Sequence, residues 1–243
     1  MERFVYNLIE SGEKDDWWYR VMRKVVWNYL DWFGGESSGT LLDIGCGTGY
    51  TLMELKKRGW KTYGIEIEKK MVEKAKSLGL DQVKEGDAVK LPWSQNKFDA
   101  VLMLDVLEHV REEEKALAEA YRVLKQGGIL ILNCPAYNWL WSYHDDSAKH
   151  MRRYTRRQLK QKVIKTGFSI DKATYLNWLL FPIVAGVRLV SRLGRGKAAK
   201  SDVGRVPFWA RSWLYIIFSS ELRVLKYINF PYGLSVSIVA KKR

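Results

Sequence analysis

Two periods of apolar residues run along this chain, and the change from one to the other delimits its elements. Residues 13–33, EKDDWWYRVMRKVVWNYLDWF, read as a tryptophan-rich helix, followed by a loop, GGESSG, at 34–39. Strand-like and helix-like runs then alternate. TLLDI (40–44), KTYGI (61–65), a short run at 82–85 and FDAVLML (98–104) are predicted strands. Tyr50 to Arg58 and Lys69 to Leu78 are predicted helices, the second stopped by Gly79. The best-delimited helix opens on Glu112, Glu113 and Glu114, which suit a positive dipole end. It continues with Leu117, Ala120, Tyr121 and Leu124 at helical spacing and closes on Lys125 and Gly127. GILILN (128–133) follows as a buried strand. Apolar strands alternating with amphipathic helices predict a parallel sheet covered on both faces.

Beyond Asn133 the rhythm changes. Residues 136–154 form an aromatic and polar loop, and Thr155 to Thr166 a helix with Thr155 as N-cap and Gly167 as stop. FSIDKATYL (168–176) is a strand, and the alternation of GLSVSIVAKK (233–242) suits an edge strand. Between them lie two apolar stretches, 178–190 and 206–218, joined by a basic, glycine-containing loop. Arg188 and Arg211 interrupt them before the ~20 apolar residues that a bilayer span needs. They are expected to pack as a lid or to lie as amphipathic helices at an interface. The expected organisation is an N-terminal helical cap (1–39), a core (40–176 and 229–243) and a helical insertion (177–228).

Charge adds a second asymmetry. Residues 1–149 hold 21 Lys+Arg and 24 Asp+Glu, whereas residues 150–243 hold 20 and 3, so the net +14 comes from the C-terminal third. Such a basic region implies an acidic neighbour: a phosphorylated substrate, RNA or an anionic membrane surface. Two cysteines are too few for a disulfide framework or a metal cluster. The opening MERFVYNLIESGEKDD has no long apolar run and turns acidic, so a cytoplasmic setting is expected, with peripheral membrane contact through the insertion.

The candidate chemistry starts at LLDIGCGTGY (41–50). A dinucleotide turn wants G-x-G-x-x-G, but position 50 is Tyr50, and the Lys-Ser/Thr of a phosphate-binding P-loop is also absent. The pattern present is D-x-G-x-G-x-G, with Asp43, Gly45, Gly47 and Gly49. Bare glycines admit a ligand against the backbone, and Asp43 can accept from an ammonium, which suits an amino-acid tail better than a pyrophosphate. Glu66 ends the second strand, 21 positions after Gly45, where a carboxylate takes ribose hydroxyls. Asp87, with Ala88, stands where an exocyclic adenine amine can be met.

LLDIGCGTGY, YGIEIEKKMVEKAK, EGDAVKLPW, FDAVLMLDVLEHV and RVLKQGGILILNCPA resemble the successive motifs of class I S-adenosylmethionine-dependent methyltransferases, including type-11 and quinone-ring enzymes. The resemblance covers about residues 40–135. It implies an α/β, Rossmann-like, doubly wound seven-stranded sheet, mostly parallel, in the order 3-2-1-4-5-7-6 with strand 7 antiparallel and a helical insertion between strands 6 and 7. It also implies S-adenosylmethionine as cofactor, met by Asp43, Gly45, Cys46, Gly47, Tyr50, Glu66, Ile67, Asp87, Ala88, Leu104 and Asp105. A NAD enzyme would have to explain Tyr50 and Asp87.

At the reacting end, Asp105, Glu108 and His109 share one face if a helix starts at 105. Asp105 and His109 are the catalytic candidates, since a histidine of ordinary pKa near 6.5 accepts a proton near neutrality. D-x-x-E-H also resembles the E-x-x-E-H of small-RNA 2′-O-methyltransferases and some quinone-ring O-methyltransferases, which bind a divalent ion. His144 or His150 would have to complete such a set, and no metal is assigned. Cys134 is expected to pack rather than react, and not to bridge to Cys46. Trp17, Trp18 and Tyr19 are expected over the cofactor, with Arg20 or Arg23 at its carboxylate. The expected acceptor is a small or lipid-linked molecule whose acidic group HMRRYTRRQLK would meet; an RNA acceptor tracked by the basic third is the alternative.

Overall fold

The structure, a computed structural model, describes residues 12–34, 39–193 and 208–243. The first eleven residues, most of the 34–39 loop and residues 194–207, which hold most of the basic loop, lie outside the described residues. A leading helix α1 (Trp17–Phe33) precedes β1 (Thr40–Ile44), α2 (Tyr50–Lys57), β2 (Lys61–Glu66), α3 (Lys69–Ser77), β3 (Val83–Glu85) and β4 (Phe98–Leu104). Then come α4 (Glu113–Val123), β5 (Leu124–Pro135), α5 (Tyr143–Ala148), α6 (Arg156–Lys165), β6 (Phe168–Leu176), α7 (Phe181–Leu193), α8 (Phe208–Leu225) and β7 (Ser235–Lys242).

The strands make one sheet in the order β3-β2-β1-β4-β5-β7-β6. β1 to β5 run parallel, and β7 is antiparallel to both β5 and β6. The chain order reverses between β1 and β4, and a crevice opens at the carboxyl ends of strands flanking such a reversal. Register aligns those ends: Ile44 lies beside Ile65 and Met103, Glu66 beside Glu85, and Leu104 beside Asn133. The strand centres anchor the core, with Leu41, Leu42, Val101, Leu102, Leu130 and Leu132 fully buried. Each such side chain contributes about 1.5–3 kcal/mol of burial. α1 adds Val21, Val25 and Tyr29 at fourfold spacing, so its apolar stripe is core rather than cap alone.

Three local expectations change. β7 is not an edge strand: it is paired on both sides and buried along nearly its whole length, because its alternating serines are small enough to be covered. β5 begins at Leu124, before the glycines, and runs through them. The 136–154 loop contains the short helix α5, opened by a Ser142–Asp145 capping box. α7 and α8 form the insertion between β6 and β7, and among the described residues no helix is long and apolar enough to cross a membrane.

Candidate functional site

The turn after β1 is built from residues with no room for a side chain. Gly45 sits at φ +75°, and a Cβ there would lie 2.4 Å from Val106 Cγ2. Gly49, at φ +81°, precedes α2, and a Cβ would lie 2.5 Å from Leu80 Cδ1. Only glycine meets both demands, left-handed backbone and close packing. Glu66 is pinned against this turn: its Oε2 accepts from Gly47 N at 3.0 Å, and its Oε1 from Ile67 N at 2.9 Å and Glu68 N at 3.1 Å. Asp43 is buried, and its charged neighbours are Glu13 and Glu66; burial and then these like charges push its pKa well up. Asp87 Oδ1 accepts from Val89 N at 3.1 Å, holding the turn that presents the buried Ala88.

The end of β4 carries the second group. Asp105 takes φ +54°, so no helix starts there, and a 3₁₀ turn, Leu107–His109, follows instead. Its strained backbone is bracketed by Asn133: Asp105 N donates to Asn133 O at 2.9 Å, and Asn133 Nδ2 donates to Asp105 Oδ1 at 2.7 Å. The Trp18 side chain adds a further stabilising influence on the same carboxylate. Burial, offset by the bond from Asn133 and by His150, Arg153 and Trp18, leaves the Asp105 pKa at about 6. Glu108 is fully buried, neither of its oxygens has a hydrogen-bond partner, and burial together with Asp105 pushes its pKa well up. Burial and the neighbouring His150 drive His109 down to about 3, so it does not keep the ordinary value assumed from sequence. The 145–153 segment closes this end. Arg153 clasps Asp145 through Nε at 2.7 Å and Nη2 at 2.9 Å, and Asp145 Oδ1 lies 2.8 Å from His150 Nδ1.

Most of these groups line one cavity of about 2330 Å³, larger than the ~300–1,000 Å³ of a single-ligand site and roomy enough for two ligands; Gly49, Asn133 and Asp145 stand behind its wall. Residues 42–132 match the sequence profile of a methyltransferase domain. Norajmaline N-methyltransferase of Rauvolfia serpentina is 30% identical over 149 residues, covering 57% of this chain and 50% of the relative. A 2-phytyl-1,4-naphtoquinone methyltransferase of Nostoc punctiforme is 27% identical over 171 residues, covering 65% of this chain and 68% of the relative. A S-adenosylmethionine-dependent methyltransferase from Archaeoglobus fulgidus superposes with a TM-score of 0.58 at 22% identity, over 92% of this chain and 94% of that one. The domain match and these relatives support a place for residues 42–132 among the class I S-adenosylmethionine-dependent methyltransferases. S-adenosylmethionine is the cofactor of that family. The chain spans about half the length of several curated relatives that it matches.

In this chain the cavity collects every expected site residue except one: Asp43, Gly45, Cys46, Gly47, Glu66, Ile67, Asp87, Ala88, Leu104, Asp105 and His109 line it. Tyr50 does not; its ring lies under the Arg23 guanidinium, 5.3 Å from the ring centre. Arg23 itself donates to the carbonyls of Glu13 at 2.5 Å and Lys14 at 2.7 Å, while Arg20 lies over Tyr215. Both arginines therefore buttress the helical cap. Cys46 and Cys134 are free and buried, and burial raises both thiols, so neither is poised to react. Three residues were missed: Glu13, Asn133 and Asp145. Asn133 had a signal, a lone amide at the end of the apolar run GILIL. The uncompensated carboxylates around bare glycines fit a cofactor that carries positive charge beside a nucleoside, which is the test the cavity itself offers for S-adenosylmethionine.

Proposed function

We propose that the chain transfers a methyl group from S-adenosylmethionine to a small acceptor with an apolar, lipid-like body. One observation carries this reading. The insertion lines the same cavity with Leu180, Ile183, Val184, Val187, Leu214 and Ile216, and Ile183, Val187 and Ile216 are also exposed, so an apolar wall runs out to an open mouth. An apolar face of this kind fits an acceptor, or an anionic membrane surface holding it, better than a polyanion. The naphtoquinone relative agrees with that preference by its name. The RNA alternative loses some support because several residues of the basic third are engaged by the protein's own acids and carbonyls. Arg153 is paired with Asp145, Arg152 and Lys162 with Glu113, and Lys165 with Glu114. Lys242 donates to the carbonyls of Tyr121 and Leu124.

When bound, the cofactor supplies an activated methyl group on a sulfonium, so the protein's part is placement and proton handling. Glu66, held by three backbone N–H groups, is the ribose contact; Asp87 and Ala88 are the adenine contacts; Asp43 is the acceptor for the tail ammonium. Asp105, fixed by Asn133 at the cavity floor, is the group placed to accept a proton from a hydroxyl or acidic carbon. His109 serves better as a neutral neighbour than as the base. The test is incubation of a lipid extract with methyl-labelled S-adenosylmethionine, read by mass spectrometry of the organic phase. Label in an extractable product, lost in Asp105→Asn, is expected; label recovered only in RNA would sink the reading.

A second reading, that a divalent cation assists at this end, is favoured by a specific grouping. Ligand atoms of Glu108, His109 and His150 lie within 4.8 Å of one another, where a zinc tetrahedron with ~2.0–2.1 Å bonds has edges of about 3.4 Å, so closure by roughly an ångström is required. His150 offers Nδ1 to Asp145, an outer contact of the kind that metal-binding imidazoles use. Asp105, the first position of the resembling motif, is not in the group. Two imidazoles favour zinc over magnesium. Elemental analysis after dialysis against zinc should find one ion per chain, and none in His150→Ala; equal metal-free turnover and no retained ion in wild type would reject the cation.

A further inference from the structure

Glu13 lies outside the matched domain and outside every recognised motif, yet its carboxylate enters the glycine turn. It is buried, and its Oε2 accepts from Thr48 N at 2.9 Å and from the Thr48 hydroxyl. A Cβ on Gly47 would lie 3.2 Å from that same oxygen. Oε1 has only a long contact, 3.3 Å from Tyr50 N, and retains lone pairs for another donor. The basic neighbour of Glu13 is Arg23, whose hydrogen bonds go to the backbone carbonyls of Glu13 and Lys14 instead of to the carboxylate. Arg23 thus fixes where the turn sits without satisfying the acid it carries.

Glu13, Asp43 and Glu66 therefore surround one glycine turn as three acids, and Glu13 and Glu66 each disfavour ionisation of Asp43. Glu66 is held by three backbone N–H groups, two on Oε1 and one on Oε2, which leaves Oε2 an acceptor position. Arg23 offsets the Glu13 charge only through space, and a buried carboxylate with no cation bonded to it keeps acceptor positions for a ligand that brings positive charge. We propose that Glu13 is a binding residue for the cofactor's amino-acid tail, taking its ammonium jointly with Asp43, so that recognition of this end is shared between the helical cap and the core. The assignment rests on the cofactor reading above and deepens it.

Two probes isolate that end: S-adenosylhomocysteine, which keeps the amino-acid tail, and methylthioadenosine, which lacks it. Calorimetry on the full chain reads the ratio of their dissociation constants. Charge-assisted bonds of this kind imply that Glu13→Gln, which keeps an acceptor for Thr48, weakens S-adenosylhomocysteine roughly tenfold and leaves methylthioadenosine within about twofold. Thr48→Val, which loses only the hydroxyl bond, should move both ligands together and preserve the ratio. An unchanged ratio in Glu13→Gln, with wild type binding both ligands, overturns the role of Glu13 alone. Failure of wild type to bind either ligand overturns the cofactor reading as well.

Discussion

Asp43 beside the glycine turn and Asp145 in the 136–154 segment are both shielded from water, and their surroundings differ in kind. Asp43 faces other acids, Glu13 and Glu66, and burial holds its pKa well up. Asp145 is clasped by Arg153 and His150, and these bonds hold its pKa well down against burial. A carboxylate already matched by a guanidinium is scaffold, since nothing is left for a ligand to satisfy. One surrounded by like charge is suited to a receptor, since no cation of the protein is bonded to it. The cavity is thus built from a finished wall and an unfinished one.

Four substitutions would break or sharpen this contrast. Asp145→Asn should cost most, about 3–5 kcal/mol of unfolding free energy in a denaturant titration, because it leaves Arg153 buried without its counter-charge. A loss under 1 kcal/mol would make the wall no more finished than the glycine side. Asp105→Asn keeps the size and the Asn133 contact, and is expected to lower kcat by about 10²–10³-fold with stability nearly unchanged. Steady-state kinetics showing a tenfold KM rise instead would move Asp105 from proton acceptor to binding contact. Glu66→Gln should raise the KM for S-adenosylmethionine on the order of tenfold with little change in kcat, as a ground-state contact does. Trp213→Ser, at an exposed position of α8, should alter stability by no more than about 0.5 kcal/mol. Its expected effect is confined to co-sedimentation with anionic vesicles; unaltered sedimentation would remove the insertion's exposed face from acceptor capture.

The unfinished wall was largely legible in the sequence and the finished one was not. Asp43 and Glu66 sit near the ends of apolar strands, and Asp87 lies two residues past the short β3, so strand register brings them towards one edge and spacing along the chain is a useful guide. The sheet order followed from the same motifs. Asp145, His150 and Arg153 belong to a segment without periodicity, where partners are chosen by tertiary packing. There HMRRYTRRQLK read as a basic patch awaiting a phosphate, although Arg153 had already been claimed from within. Asp105 failed as a helix start for a related reason: the spacing to Glu108 and His109 is helical, but the carboxylate is held by Asn133 at the end of the adjacent strand, 28 positions away, and the backbone follows that bond. Glu13 gave no signal, because its partner Thr48 is 35 positions distant.

The left-handed backbone at Asp105 bears on any attempt to engineer this chain. Glycine at 105 would relax roughly 1 kcal/mol of torsional strain, but the added freedom of the unfolded chain and the buried Asn133 amide left without its acceptor outweigh that gain. A mutant library ranked by heat tolerance would therefore keep the acid on the cavity floor, and robustness and chemistry would be selected together.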